Sequence, residues 1–77
     1  MIKWSEEWAL NRLNNIHKDE SRAPYTEDFV SMMMEVTLQE NRALNNFRNL
    51  VNLRYIIIHE NKVMLKWYFD VFYHPVS

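Results

Sequence analysis

The chain has 77 residues, with 9 Lys or Arg against 10 Asp or Glu, a net charge of −1 and no cysteine. That length holds one core and excludes a second domain, and the missing thiols exclude disulfides, thiolate metal sites and cysteine nucleophiles. The near-neutral sum weighs against a binder that depends on bulk positive charge.

Hydrophobic residues at 48% and charged residues at 25% describe a globular chain. Glycine is absent, so any turn that needs a positive φ must use Asn, Asp or His. The start, Met1-Ile2-Lys3-Trp4-Ser5-Glu6-Glu7, lacks the basic region and apolar stretch of a signal peptide. The longest apolar runs, Ile56–Ile58 and Trp67–Phe69, are far short of the roughly 20 residues of a membrane span. The expectation is a soluble domain of the reducing cytoplasm with no membrane partner. A core this small leaves stability modest, so a homodimer is expected to cover more apolar surface.

Ser5 reads as an N-cap, with Glu6 and Glu7 in the first turn where the helix dipole favours carboxylates. A helix near 5–18 follows, with Ala9, Leu13 and Ile16 on one face and Asn11, Arg12, Asn14 and Asn15 on the other. His17 to Tyr25 is polar and contains Ala23-Pro24, which predicts a loop. A second helix near 26–36 carries Phe29, Met32, Met33 and Val36 at helical spacing, and Met34 falls off that stripe. Thr37-Leu38-Gln39-Glu40 has the form of a capping box, which predicts a new helix over 37–53 with Ala43, Leu44, Phe47, Leu50 and Val51 inward. One continuous helix over 26–53 is the alternative, since neither glycine nor proline enforces the break.

After Leu53 the hydrophobic period changes to two. Arg54–Ile58 and Val63–Phe69 predict a hairpin at about 54–72, turning at His59-Glu60-Asn61-Lys62. On its second strand Val63, Leu65, Trp67, Phe69 and Val71 share one face. Met64, Tyr68 and Phe72 share the other, with Lys66 and Asp70, and form a candidate protein interface. The predicted core includes Phe29, Met33, Phe47, Leu50, Ile57 and Trp67. The fold class is α+β, three helices followed by a C-terminal hairpin.

Ala43, Phe47, Leu50 and Leu53, running into Arg54-Tyr55-Ile56, are similar to the ladder that joins the third helix of a winged helix-turn-helix domain to its first wing strand. The resemblance covers roughly residues 5–70. Where that family commonly has glycine after the ladder, this chain has Arg54. The resemblance implies that the third helix is a recognition helix and 59–62 a wing tip, so the expected partner is double-stranded DNA. Its candidate contacts are Gln39, Arg42, Asn45, Asn46, Arg48, Asn49 and Lys62, residue types suited to phosphates and to guanine and adenine edges.

Charge is arranged in keeping with that expectation. Residues 1–36 hold four cations against seven carboxylates, whereas residues 37–66 hold five cations against two. The alternative expectation is a small phage-type protein that binds and inhibits another protein. His17, His59 and His74 are too widely spaced to suggest a metal site, and no nucleophile–base pair, phosphate-binding loop or cofactor motif is present. The chain is expected to be non-catalytic, without cofactor or metal.

Overall fold

The computed structural model describes residues 2–20 and 22–73. In chain order it comprises α1 (Trp4–Glu20), α2 (Thr26–Thr37), α3 (Glu40–Asn52), β1 (Ile56–His59), β2 (Lys62–Leu65) and α4 (Lys66–Phe72). The class is α+β, but with four helices and a shorter hairpin than the sequence predicts.

Helix α1 buries Ala9, Leu13 and His17 at intervals of four, and α2 buries Phe29 and Met33 at the same interval. Helix α3 buries Ala43, Asn46, Phe47 and Leu50. These stripes converge with Ile56, Val63 and Met64 of the hairpin on one core, and the Phe29 and Phe47 rings meet at 6.4 Å between centroids. Removing a fully buried side chain such as Leu13 or Phe29 from water contributes about 2 kcal/mol each.

The break between the second and third helices is present, but it lies two residues beyond the expected place. Thr37 ends α2 rather than starting α3. Leu38 closes α2 in the left-handed conformation, with φ 59 and its N–H on the Met34 carbonyl, and Gln39 is extended. The Thr37 hydroxyl donates to the Gln39 carbonyl at 3.0 Å and lies 3.4 Å from the Gln39 N–H, so it serves a local turn instead of a capping box with Glu40. Ser5 likewise lies inside α1 rather than capping it, and α1 runs to Glu20, beyond the expected start of the loop.

Arg54 closes α3 at φ 63. Its N–H reaches the Val51 carbonyl and the next N–H, of Tyr55, reaches Leu50, the paired bonds of a Schellman motif. An arginine thus occupies the left-handed position that glycine most often fills. Glu60 and Asn61 supply the two positive φ angles of the hairpin turn, as a two-residue loop of the primed type requires.

The strands pair antiparallel with Ile56 opposite Leu65, Ile57 opposite Met64, Ile58 opposite Val63 and His59 opposite Lys62. The outer edge of β2 is sealed: Val63 donates to the Pro24 carbonyl, Tyr25 bridges Lys62, and Asn61 O accepts from both the N–H and the hydroxyl of Thr26. The turn at 60–61 is therefore tied to the start of α2.

The expected second half of the second strand is helix α4. Leu65 adopts φ −63, ψ 149 as its N-cap, and Lys66 pairs with Asp70 one turn on at 3.1 Å. The helix folds back over the hairpin face that carries Ile57, His59 and Met64. There the His59 ring lies 5.7 Å from Phe69 and 5.0 Å from Tyr73. This reversal corrects the core. Met64 and Tyr68 are buried, whereas Trp67 is 44% exposed and Ile57 only half-buried.

His17 joins α1 to the hairpin exit. Its Nε2 accepts the Leu65 N–H at 3.1 Å, its Nδ1 lies 3.1 Å from the Arg22 carbonyl, and its ring stacks on Tyr68 at 4.0 Å. Because Nε2 must offer a lone pair to Leu65, the proton resides on Nδ1 and the ring is neutral. Burial lowers the His17 pKa below its ordinary value of 6.5, and the bond to Arg22 opposes this only in part.

Two outcomes follow. Leu38→Gly relieves a non-glycine left-handed residue at an exposed site, so it should raise stability by about 0.5–1 kcal/mol in urea titrations. For His17, the unfolded chain takes up a proton below its ordinary pKa while the folded chain resists. Stability is therefore full above pH about 6.5 and falls as pH drops toward the lower folded value. His17→Gln should flatten that slope between pH about 6.5 and 5, measured by thermal melts across the range.

Candidate functional site

Helix α3 presents the clearest polar surface. With Ala43, Phe47 and Leu50 turned inward, residues at 41, 45, 48 and 52 recur at i, i+4, i+7 and i+11 on the opposite side. Asn41, Asn45, Arg48 and Asn52 are exposed there, and none of their side chains makes a hydrogen bond or ion pair among the described residues. Arg42 is also exposed. Six residues separate Arg42 from Arg48, so the two point about 120° apart around the axis.

The flank occupied by Arg42 faces the start of α1. Lys3, Trp4, Ser5, Val36, Thr37, Arg42, Asn45 and Asn46 line an open groove of about 490 Å³. Two side-chain bonds join α1 to α3 beside it. The Asn46 amide donates to the Ser5 hydroxyl at 2.7 Å, and the Asn49 amide donates to Glu6 Oε1 at 3.3 Å. Glu6 also lies 3.4 Å from the Lys3 N–H through its other oxygen. This carboxylate, expected to serve the helix dipole, is 3% exposed and forms part of the seam between α1 and α3.

The expected DNA contacts thus divide. Gln39, Arg42, Asn45, Arg48 and Asn49 are exposed, with Asn49 engaged by Glu6. Asn46 is 5% exposed and committed to Ser5, which corrects its place on the solvent face. Lys62 is half-buried, with its ammonium 5.5 Å from the centre of the Tyr25 ring. Arg42 and Arg48 lie about 120° apart on α3, and the Lys62 ammonium is engaged by the Tyr25 ring.

The expected interface of Met64, Tyr68 and Phe72 is not a surface. Met64 and Tyr68 are interior, and only Phe72, at 58%, is exposed. The physical reason is the change of period at Lys66, which turns Tyr68 inward onto His17. A different apolar surface is present, a shallow groove lined by Leu10, Leu53, Arg54, Tyr55, Leu65, Lys66 and Trp67. Leu53, the last leucine of the ladder-like run, lies beyond α3 and is 58% exposed.

Among the described residues no group of three His, Cys, Asp or Glu side chains could hold a metal ion. His17 and His59 serve ring contacts on opposite sides of α4, and His74 lies outside the described residues. Among the described residues no helix is long and apolar enough to cross a membrane. Comparison of the chain with protein-family models, with curated proteins and with solved structures finds no match.

Sequence reasoning missed Lys3 and Trp4 as neighbours of Arg42. The only available signal was the pair of short polar side chains, Ser5 and Asn46, which have no periodic pattern to link them across 41 residues. Asn46→Ala should cost about 1–2 kcal/mol in chemical denaturation, because it leaves the Ser5 hydroxyl without its donor inside the seam. Asn45→Ala, on the solvent side of the same turn, should change stability by less than about 0.5 kcal/mol.

Proposed function

We propose that the chain is a small non-catalytic DNA-binding regulator of winged-helix type, with α3 as the helix that enters the major groove. The observation that carries this reading is the exposed face of α3. Asn41, Asn45, Arg48 and Asn52 lie there at helical spacing, with Arg42 and Asn49 on its flank and Glu40 as the helix's one carboxylate. Asn side chains suit adenine edges, and Arg suits guanine or phosphate.

The element order supports the same reading. Helices α1 and α2 precede α3, which follows α2 after Leu38 and Gln39 and runs through a short connection into an antiparallel hairpin, with Tyr25 bridged to the hairpin's second strand. The short strands and anchored turn make the hairpin a brace for α3 more than a free arm, so base contacts fall to α3 alone. The acidic residues Glu27, Asp28 and Glu35 belong to α2, outside the proposed contact helix.

A second reading, a protein that binds and inhibits another protein, is favoured by the groove of Leu10, Leu53, Tyr55 and Trp67. Large side chains exposed together on so small a domain mark contact surfaces.

The two readings separate in a salt-titrated binding assay with mixed-sequence duplex DNA. Arg48→Ala should weaken binding and, where the lost contact is a phosphate, reduce the salt slope by about one unit. Stability should stay within about 0.5 kcal/mol. Undetectable binding at low salt, or binding unchanged in an Arg42/Arg48/Lys62 triple alanine variant, would overturn the DNA reading.

A further inference from the structure

The open groove between the start of α1 and the Arg42 flank of α3 continues the exposed face of α3, since Arg42 and Asn45 belong to both. Its two cations, Lys3 and Arg42, are exposed, and neither has an ion pair among the described residues. No carboxylate lines it, and Glu6, on the same turn of α1, is bonded to Asn49 instead. Trp4 stands beside the cations 70% exposed, and its indole N–H has no hydrogen-bond partner among the described residues.

Helix geometry relates this groove to the face of α3. Each residue turns about 100° around the axis, so Arg42 and Arg48, three residues to either side of Asn45, stand about 60° from it in opposite senses. A helix with its side chains is roughly as wide as the major groove of DNA, about 12 Å, so the middle of its outer face meets base edges and its flanks meet the two backbones. Asn41, Asn45 and Asn52 occupy that middle. Arg42 is thereby turned toward one sugar–phosphate strand and Arg48 toward the other. On the Arg42 side the surface continues into α1, because the Asn46 and Ser5 bond holds the start of that helix there.

We propose that this groove holds the sugar–phosphate backbone of one strand of the duplex that α3 enters, with Lys3 and Arg42 on its phosphates and Trp4 against its deoxyribose. This rests on the DNA reading of α3 and adds the start of α1 as a second contact element. Charge complementarity selects the occupant, since two cations without a carboxylate suit phosphodiesters. The indole suits the stretch between phosphates: its face covers the apolar side of a sugar and its N–H donates to a phosphate oxygen. A lone aromatic gives successive bases no stacking platform, which separates this surface from a single-strand binder. Ser5 and Asn46 are bonded to each other, so they position the two walls.

The test is salt-titrated binding of mixed-sequence duplex DNA to the full chain and to its Lys3→Ala, Arg42→Ala, Trp4→Ala and Arg48→Ala variants. Loss of Lys3 or of Arg42 should weaken binding at least about threefold and lower the salt slope by about one unit, and loss of both should lower it by about two. Trp4→Ala should weaken binding with the slope unchanged, because the ring carries no charge. All three side chains are exposed, so the melting midpoints should stay at the wild-type value. Hydroxyl-radical labelling of the wild-type chain, read by mass spectrometry, supplies an independent arm. The duplex should protect Trp4 and leave Trp67, in the groove beside Leu10, labelled as before.

If Arg48→Ala weakens binding while the Lys3, Trp4 and Arg42 variants bind as the wild type does, α3 still contacts DNA and the groove proposal is overturned. Absence of duplex binding at low salt overturns both. Tighter binding of a single strand than of its duplex, abolished by Trp4→Ala, would assign the groove to stacked bases and overturn the proposal as well.

Discussion

The imidazole of His17 holds the two halves of the molecule in register. It closes the end of α1 on one side through the Arg22 carbonyl and fixes the last residue of β2 on the other through the Leu65 N–H. A strand that leaves a hairpin normally continues until its hydrogen bonds run out. Here the outward Leu65 amide is taken by a ring nitrogen at the residue where the chain leaves β2 and turns into α4. Tyr68 then stacks on the same ring, and the turn of helix that carries it covers Met64. The interior of the C-terminal half thus depends on one neutral side chain in one tautomer.

This dependence explains what the sequence shows and what it hides. Periodicity makes α1, α2 and α3 legible, because Leu13, Phe29, Met33, Phe47 and Leu50 recur on helical stripes and all are buried. The hairpin turn is legible too, since Glu60 and Asn61 sit between β-branched runs. The fate of 66–72 is not. Lys66-Trp67-Tyr68-Phe69-Asp70-Val71-Phe72 is rich in aromatics, so local propensity favours a strand. The Lys66 and Asp70 pair at i, i+4 is a helix signal in that segment, but the contact that overrides propensity comes from a histidine 48 residues earlier.

The candidate site divides along the same line. Exposure of Arg42, Asn45 and Arg48 follows from the phase of α3, which sequence periodicity determines. The withdrawal of Asn46 does not, because it depends on the angle at which α1 crosses α3 and brings Ser5 within 2.7 Å. Polar residues on a helix are ambiguous in this way: the same amide is solvated, packed or available to a ligand according to what lies across from it. Glu6 illustrates the point further, since a carboxylate placed to suit a helix dipole ends up as an acceptor for Asn49 in the seam.

The seam and the histidine both belong to α1, and their partners lie 41 and 48 residues further along. During synthesis α1 can meet α2 and α3 first, but its contacts with β2, the His17–Leu65 bond among them, wait until the segment through residue 65 has left the ribosome. The domain is therefore expected to assemble late and cooperatively, with its earliest-made helix among the last to find its place.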